Sequence, residues 1–76
     1  MPAGRFLVYS RSNCGLCDEF IAELAALEIA FEVRDVDADP VTRRRYGLKV
    51  PVLTCDGSAV CHGRLDADAV RRLARS

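Results

Sequence analysis

The chain has 76 residues, half of them apolar, and its 11 basic and 11 acidic side chains give a formal net charge of zero. This length predicts a single small domain spanning residues 1–76, and the apolar content excludes an intrinsically disordered protein. The balanced charge excludes a global field that would attract nucleic acid, a membrane surface or an acidic substrate.

The first half of the chain predicts a strand, a helix and a second strand. An apolar run predicts a buried strand at about 5–10, and apolar residues at helical spacing predict a helix at about 15–28. Phe31 and Val33 alternate with charged residues, which predicts a strand at about 31–36. Strand, helix and strand in this order form a βαβ unit with parallel strands.

A short helix is predicted next. Asp39 is a good N-cap and Pro40 suits the first helical position, while Gly47 fits the end of the helix. The basic run Arg43–Arg45 lies in its last turn, and we interpret this run as a solvated face balanced by nearby aspartates. A contact with a carboxylate or phosphate of a substrate is the alternative interpretation.

The last part of the chain predicts a β-hairpin and a third helix. Strand-like segments at 50–54 and 59–61 flank Asp56-Gly57, a dipeptide typical of tight hairpin turns, and Asp66 caps the final helix. The predicted fold class is therefore α/β, with the order β-α-β-α-β-β-α and a mixed four-stranded sheet flanked by helices.

The motif with the clearest chemistry is Cys14-Gly15-Leu16-Cys17, between the first strand and the first helix. Two thiols at this spacing can close a disulfide across one helical turn or bind a soft metal. Cys14 begins the helix, where unpaired N–H groups and the helix dipole favour a thiolate. A Cys-x-x-Cys pair that opens a helix of a βαβ unit indicates thioredoxin-like redox chemistry.

Two segments together resemble the glutaredoxins of the thioredoxin superfamily. These are residues 9–17, which end in the Cys-x-x-Cys motif, and Val50-Pro51, which stands where that family has a Val-Pro dipeptide with a cis proline facing the active site. The Cys-Gly-Leu-Cys motif and the segment 61–66 resemble a small group of bacterial glutaredoxin-like proteins. The resemblance covers roughly residues 5–75 and implies a thioredoxin-like fold.

The resemblance implies a dithiol–disulfide oxidoreductase that reduces protein disulfides or glutathione mixed disulfides. Cys14 would be the attacking thiol and Cys17 the resolving thiol. A peptide-like substrate would form backbone hydrogen bonds at Val50, beside the cis Pro51. Arg11 is a further candidate substrate-binding residue and a candidate positive charge near the attacking thiol.

Two segments depart from the glutaredoxin pattern. Gly15-Leu16 replaces the usual Pro-Tyr, and residues 61–64 (Cys-His-Gly-Arg) replace a Gly-Gly pair followed by acidic residues in glutathione-binding members. We expect no bound organic cofactor, with glutathione as a candidate co-substrate and glutathione or a thioredoxin-type protein as the reductant. We also expect a monomer without nucleic-acid or membrane partners.

Cysteine usage and the N-terminus bear on location. Met1–Arg5 are followed by no long apolar stretch, so neither a signal peptide nor a transmembrane helix is expected. Four cysteines in a short secreted chain would suggest a disulfide framework, but the apolar core is sufficient without one. We therefore expect a cytoplasmic protein with two redox-capable thiols and two ordinary free thiols.

Two other uses of the cysteines are consistent with the residues. The pair could switch a partner contact in a redox-sensing or binding module, for which the altered segment 61–64 is the best support. Alternatively, Cys55, Cys61 and His62 could join the Cys-x-x-Cys pair in binding zinc. The resemblance to glutaredoxins, some of which share an iron–sulfur cluster between two chains, implies a second metal alternative. Because the second set of ligands lacks the usual close spacing, no metal site is predicted.

Overall fold

The computed structural model describes residues 5–75, and it has four strands, three α-helices and one 3₁₀ helix. The strands are β1 (Phe6–Ser10), β2 (Glu32–Asp35), β3 (Val52–Cys55) and β4 (Ser58–His62), and the helices are α1 (Gly15–Ala26), α2 (Pro40–Tyr46) and α3 (Ala67–Arg75), with the 3₁₀ helix at Val36–Ala38. This confirms the predicted order, with the 3₁₀ helix added. Residues 1–4 and 76 lie outside the described residues. The predicted domain includes all five of them, and the expectation for Met1–Arg5 includes residues 1–4.

The sheet has the strand order β2-β1-β3-β4. β1 is parallel to β2 and antiparallel to β3, and β4 is antiparallel to β3, which confirms the predicted mixed four-stranded sheet. Tyr9 pairs with Val52, and Val52 pairs with His62. The end of β1, the start of β3 and the end of β4 therefore lie together, and these strand ends form one edge of the sheet.

The main core lies on the face of the sheet that α1 and α3 cover. Val8 and Leu53 pair across β1 and β3, and both are fully buried. The cluster contains the buried residues Phe6, Val8, Phe20, Leu24, Leu53, Cys55 and Val70. On the opposite face, Tyr9 of β1 stacks on Tyr46 of α2 with ring centroids 5.2 Å apart. The sheet is thus flanked by helices, as predicted, and these helices lie on both of its faces.

The predicted hairpin turn and helix caps are confirmed. Asp56 and Gly57 both have positive φ, 51° and 86°, which is the backbone of a type I′ turn that matches the twist of the flanking strands. The carboxylates of Asp39 and Asp66 accept hydrogen bonds from backbone N–H groups in the first turns of α2 and α3, at 2.7 and 3.1 Å. None of the helices within residues 5–75 has the length and apolar character that a membrane span requires.

Two local features differ from what the sequence pattern suggests. α1 ends at Ala26 rather than at about 28, because Glu28 takes a left-handed φ of 58° and its N–H bonds to the carbonyl of Ala25. Val33, which alternates with charged residues in the sequence, has a side chain that is 47% exposed. β2 is an edge strand with a neighbour on one side only, and the fully buried valine of this region is Val36 in the 3₁₀ helix.

Candidate active site

Cys14 is the N-cap residue of α1. Its backbone is extended, with φ −114° and ψ 101°, and its Sγ accepts a hydrogen bond of 3.1 Å from the backbone N–H of Cys17. The sulfur therefore occupies the position of an N-capping oxygen and satisfies one of the free amides of the first turn. A thiolate at this position is stabilised by that N–H and by the positive end of the helix dipole.

Cys14 and Cys17 form a disulfide, with Cα atoms 5.2 Å apart. The two sulfurs differ in access: Cys17 is 1% exposed, one turn inside α1, whereas Cys14 is partly exposed. Between them, Leu16 is 47% exposed. An incoming disulfide can therefore approach Cys14 from solvent, while Cys17 is reached from Cys14.

The start of α1 also carries exposed acidic side chains, of which Asp18 lies in the first turn. Asp18 and Glu19 directly follow the motif, and the N–H of Asp18 bonds to the carbonyl of Cys14. Their negative charge interacts favourably with the helix dipole, but it disfavours a thiolate at the N-cap because like charges repel. Stabilisation of the thiolate therefore depends on the backbone N–H groups of the first turn.

The Val50–Pro51 peptide is cis, as the resemblance to glutaredoxins implied. Pro51 is buried, and its carbonyl accepts a hydrogen bond of 2.8 Å from the N–H of Gly63. Val50 is half-buried. Among the backbone hydrogen bonds that residues 5–75 form outside helices and strands, none involves Val50. Because β3 begins at the same edge where β1 ends, this dipeptide and the Cys-x-x-Cys motif share that edge.

The guanidinium of Arg11 makes three contacts within the chain. Its Nε and Nη2 donate to the two carboxylate oxygens of Asp37 at 2.8 and 2.9 Å, and its Nη1 donates to the carbonyl of Gly47 at 2.8 Å. The hydrogen bonds between Arg11 and Asp37 raise the pKa of Arg11 and hold the pKa of Asp37 below its usual range. Three of the five N–H donors are thus used internally, and contact of Arg11 with a substrate stays a prediction.

Asp37 and Gly47 belong to this edge of the sheet, but the sequence did not identify them. In the sequence, Asp37 is one of the aspartates near the arginine run, and Gly47 fits only the end of a helix. They lie 26 and 36 residues from Arg11. No local pattern connects residues at such separations, so neither position carried a signal that could have paired it with Arg11.

A cleft of about 190 Å³ lies between α1 and the loop that joins β4 to α3. It is lined by Leu16, Glu19, Phe20, Glu23, Gly63 and Arg64. Leu16 connects the cleft to the Cys-x-x-Cys motif, and the N–H of Gly63 connects it to the carbonyl of Pro51. The segment 61–64 that departs from the glutaredoxin pattern therefore adjoins the redox pair.

The two remaining cysteines are free thiols. Cys55 is buried in β3, and Cys61 is partly buried in β4, where burial raises the pKa of its thiol although a backbone hydrogen bond from Asp66 acts in the opposite direction. His62 is exposed at the end of β4. Within the described part of the chain, no three His, Cys, Asp or Glu side chains are grouped so that they could hold a metal ion.

This sheet, with a Cys-x-x-Cys disulfide at the start of α1 and a cis proline before β3, defines a thioredoxin-fold redox protein. Residues 5–73 match the family described as glutaredoxin-like domain (DUF836), and the chain belongs to this family. No curated protein matches the sequence. The predicted family resemblance is therefore confirmed at the level of the glutaredoxin-like family.

Two solved structures are similar to this chain. The X-ray structure of XcR50, a Northeast Structural Genomics target protein from X. campestris, has 32% identity and a TM-score of 0.75, and the match covers 92% of this chain and 95% of that chain. The holo form of glutaredoxin C1 from populus tremula x tremuloides has 16% identity and a TM-score of 0.62, with 96% and 76% covered. The second likeness is one of fold alone, and both confirm the predicted thioredoxin-like fold.

Proposed function

We propose that this protein is a thiol–disulfide oxidoreductase that reduces protein disulfides or glutathione mixed disulfides. The observation that carries the proposal is the unequal pair at the start of α1, where Cys14 is accessible at the N-cap and Cys17 is buried one turn further in. Thiol–disulfide exchange needs one accessible thiolate and a second thiol within reach of the first, and this geometry supplies both.

In the first step, the Cys14 thiolate attacks one sulfur of the substrate disulfide. A new S–S bond joins Cys14 to that sulfur, the substrate S–S bond breaks, and the other substrate sulfur leaves as a thiolate that takes up a proton. The N–H of Cys17, which donates to Sγ of Cys14, stabilises the attacking thiolate before the bond forms.

In the second step, Cys17 loses its proton and its sulfur attacks Sγ of Cys14. The mixed disulfide breaks, the second substrate thiol leaves, and the Cys14–Cys17 disulfide remains. Two electrons have then passed from the protein thiols to the substrate. A thiol reductant, either two molecules of glutathione or a thioredoxin-type dithiol, returns two electrons and two protons by the same exchange chemistry.

Substrate binding is proposed at Val50 and Pro51. The Val50 backbone lies next to the start of β3, where an extended peptide could donate to its carbonyl and accept from its N–H. The neighbouring cleft at Leu16 and Arg64 offers a place for the residues next to the substrate cysteine. We further propose that the protein works as a cytoplasmic monomer without a bound organic cofactor, and that glutathione is its co-substrate.

The test is a titration of the purified protein in glutathione redox buffers, followed by intact mass. We expect a two-electron transition with loss of two hydrogens, which peptide mapping assigns to Cys14 and Cys17. Cys14→Ser should abolish the transition and the catalysed reduction of a disulfide peptide, whereas Cys61→Ser, a matched control at a free thiol, should leave both intact.

Two results would contradict the proposal. One is full disulfide-reducing activity in the Cys14→Ser variant. The other is a wild-type protein that undergoes the two-electron transition but does not turn over a disulfide peptide in the presence of glutathione, because a redox-sensing module changes state without cycling. Steady-state turnover numbers with a small disulfide therefore separate the oxidoreductase from the sensing module.

A further inference from the structure

The contacts of Arg11 join three segments that are distant in sequence. Arg11 directly follows β1, Asp37 lies in the 3₁₀ helix after β2, and Gly47 is the C-cap residue of α2. From Gly47 the chain runs through Leu48 and Lys49 into the Val50–Pro51 dipeptide. The guanidinium therefore connects residues 47–50, which include the proposed substrate-binding backbone, to the end of β1, which precedes the redox pair.

Gly47 is closely packed where Arg11 reaches it. Its N–H donates to the carbonyl of Arg43, and its own carbonyl accepts from Nη1 of Arg11, both at 2.8 Å. A Cβ built at Gly47 would overlap the Arg43 carbonyl and lie 3.2 Å from Nη2 of Arg11. The backbone conformation at Gly47 is ordinary, with φ −56°, so glycine is needed here for close approach.

The arrangement uses properties that only arginine has. Two parallel N–H groups fix the guanidinium plane on the Asp37 carboxylate, and this orientation aims Nη1 at the Gly47 carbonyl. Lysine carries the same charge but lacks the planar fork, and it cannot satisfy the carboxylate bidentately while reaching the carbonyl in a fixed direction.

We propose that Arg11 is a positioning residue, which holds residues 47–50 through the Asp37–Arg11–Gly47 contacts so that the Val50 backbone is presented to the substrate beside Cys14. Its effect on catalysis rests on the proposed function, whereas its effect on the order of residues 47–50 does not. A direct contact of Arg11 with an anionic group of the substrate is the competing role, and the experiments below separate the two.

The first experiment measures amide hydrogen exchange by mass spectrometry in the wild type, Arg11→Lys and Asp37→Asn. We expect exchange in peptides covering residues 47–50 to accelerate by up to about fivefold in both variants, the upper end of the effect of losing an exposed ion pair. Exchange in β1 and β3 should not change. Wild-type exchange at residues 47–50 in Arg11→Lys would overturn the proposal, because charge alone would then suffice.

The matched control is Asp68→Asn. Asp68 forms an exposed ion pair with Arg71 in α3, at 3.4 Å, and within residues 5–75 no hydrogen bond or ion pair joins these two side chains to another segment. Removing it changes the net charge as Asp37→Asn does. Exchange at residues 47–50 should therefore stay at the wild-type rate, and equal acceleration in both variants would overturn the assignment to the Arg11 contacts.

The second experiment measures kcat and KM for an uncharged disulfide peptide and for one with a carboxylate next to its cysteine. Positioning predicts that KM rises about fivefold for both peptides in Arg11→Lys and Asp37→Asn, with kcat changed less than about twofold. A direct substrate contact predicts the opposite sign for Asp37→Asn, since the freed guanidinium would lower KM for the acidic peptide. A lower KM would overturn the proposal.

Failure of the proposed function has a different signature. If the wild type does not turn over a disulfide peptide, the oxidoreductase assignment fails, while accelerated exchange at residues 47–50 in the two variants still supports the positioning contacts. If the wild type turns over and neither exchange nor KM changes, the positioning role fails and the oxidoreductase assignment stands. Far-UV circular dichroism of each variant verifies that it is folded.

Discussion

Cys14 has a structural role that can be separated from its chemistry. Its sulfur caps α1 by accepting the N–H of Cys17, and any thiol–disulfide exchange also needs that sulfur as nucleophile. Cys14→Ser and Cys14→Ala both remove the nucleophile, so neither variant should reduce a disulfide. Serine, however, is among the best N-cap residues, whereas alanine cannot accept the hydrogen bond. The two variants should therefore differ in stability but not in activity.

The expected difference follows from the single cap contact. Replacing a good N-cap residue by alanine costs about 1 kcal/mol of the free energy of unfolding. In a domain of this size, 1 kcal/mol shifts Tm by roughly 4–8 °C. Asp18 adds to the effect, because its carboxylate in the first turn interacts best with a helix whose N-terminus is formed.

The assay is thermal unfolding under a reducing agent, followed by circular dichroism at 222 nm (the helix band). We expect Tm of Cys14→Ser to exceed Tm of Cys14→Ala by the stated margin. Cys17→Ala is the reference variant, because it removes the disulfide but keeps the hydrogen bond from the backbone N–H of residue 17 to Sγ of Cys14. Equal Tm values for the serine and alanine variants at position 14 would refute the assignment of the sulfur as an N-cap acceptor.

Three further predictions follow from the structure. Arg11 holds the pKa of Asp37 below its usual value of about 3.9. The ion pair therefore stabilises the fold at pH values above about 3.9, and this contribution is lost as the pH falls through the lowered pKa. Urea unfolding should show the gap between wild type and Asp37→Asn closing in acid, and a constant gap would contradict the contact. Burial raises the pKa of the Cys61 thiol. Limiting iodoacetamide at neutral pH should therefore label Cys14 of the reduced protein before Cys61, as measured by peptide mapping. The reverse order of labelling would contradict the assigned environments of the two thiols. Gly47→Ala should lower the free energy of unfolding by about 1–3 kcal/mol, because its Cβ overlaps a backbone carbonyl, and an unchanged urea midpoint would disprove the close packing.

The sequence determined those features whose cause is local. The spacing of Cys14 and Cys17 at a helix start, the caps at Asp39 and Asp66, and the Asp-Gly turn each depend on a few neighbouring residues. Such signals survive in the structure because the hydrogen bonds involved close within one turn of chain. The order of strands and helices followed from periodicity, and the βαβ rule supplied the parallel pairing.

The cis peptide before β3 was predicted in a different way. Nothing local to Val50 and Pro51 distinguishes a cis from a trans bond, and the expectation depended on the resemblance to glutaredoxins. The early end of α1 at Ala26 and the exposure of Val33 do not follow from the sequence pattern. In both cases the residues fit the predicted element, and the outcome depended on a backbone turn and on an edge position in the sheet.

Only the tertiary structure decided which groups contact Arg11 and which residues line the cleft beside the Cys-x-x-Cys motif. The sequence offered Arg11 as a charge without a location, whereas the fold brings Asp37 and Gly47 to it from separations of 26 and 36 residues. The cleft beside Leu16 likewise forms from α1 and the loop after β4. Contacts of this kind depend on sheet register and helix placement, which are set by burial of the whole core and which no short stretch of sequence encodes.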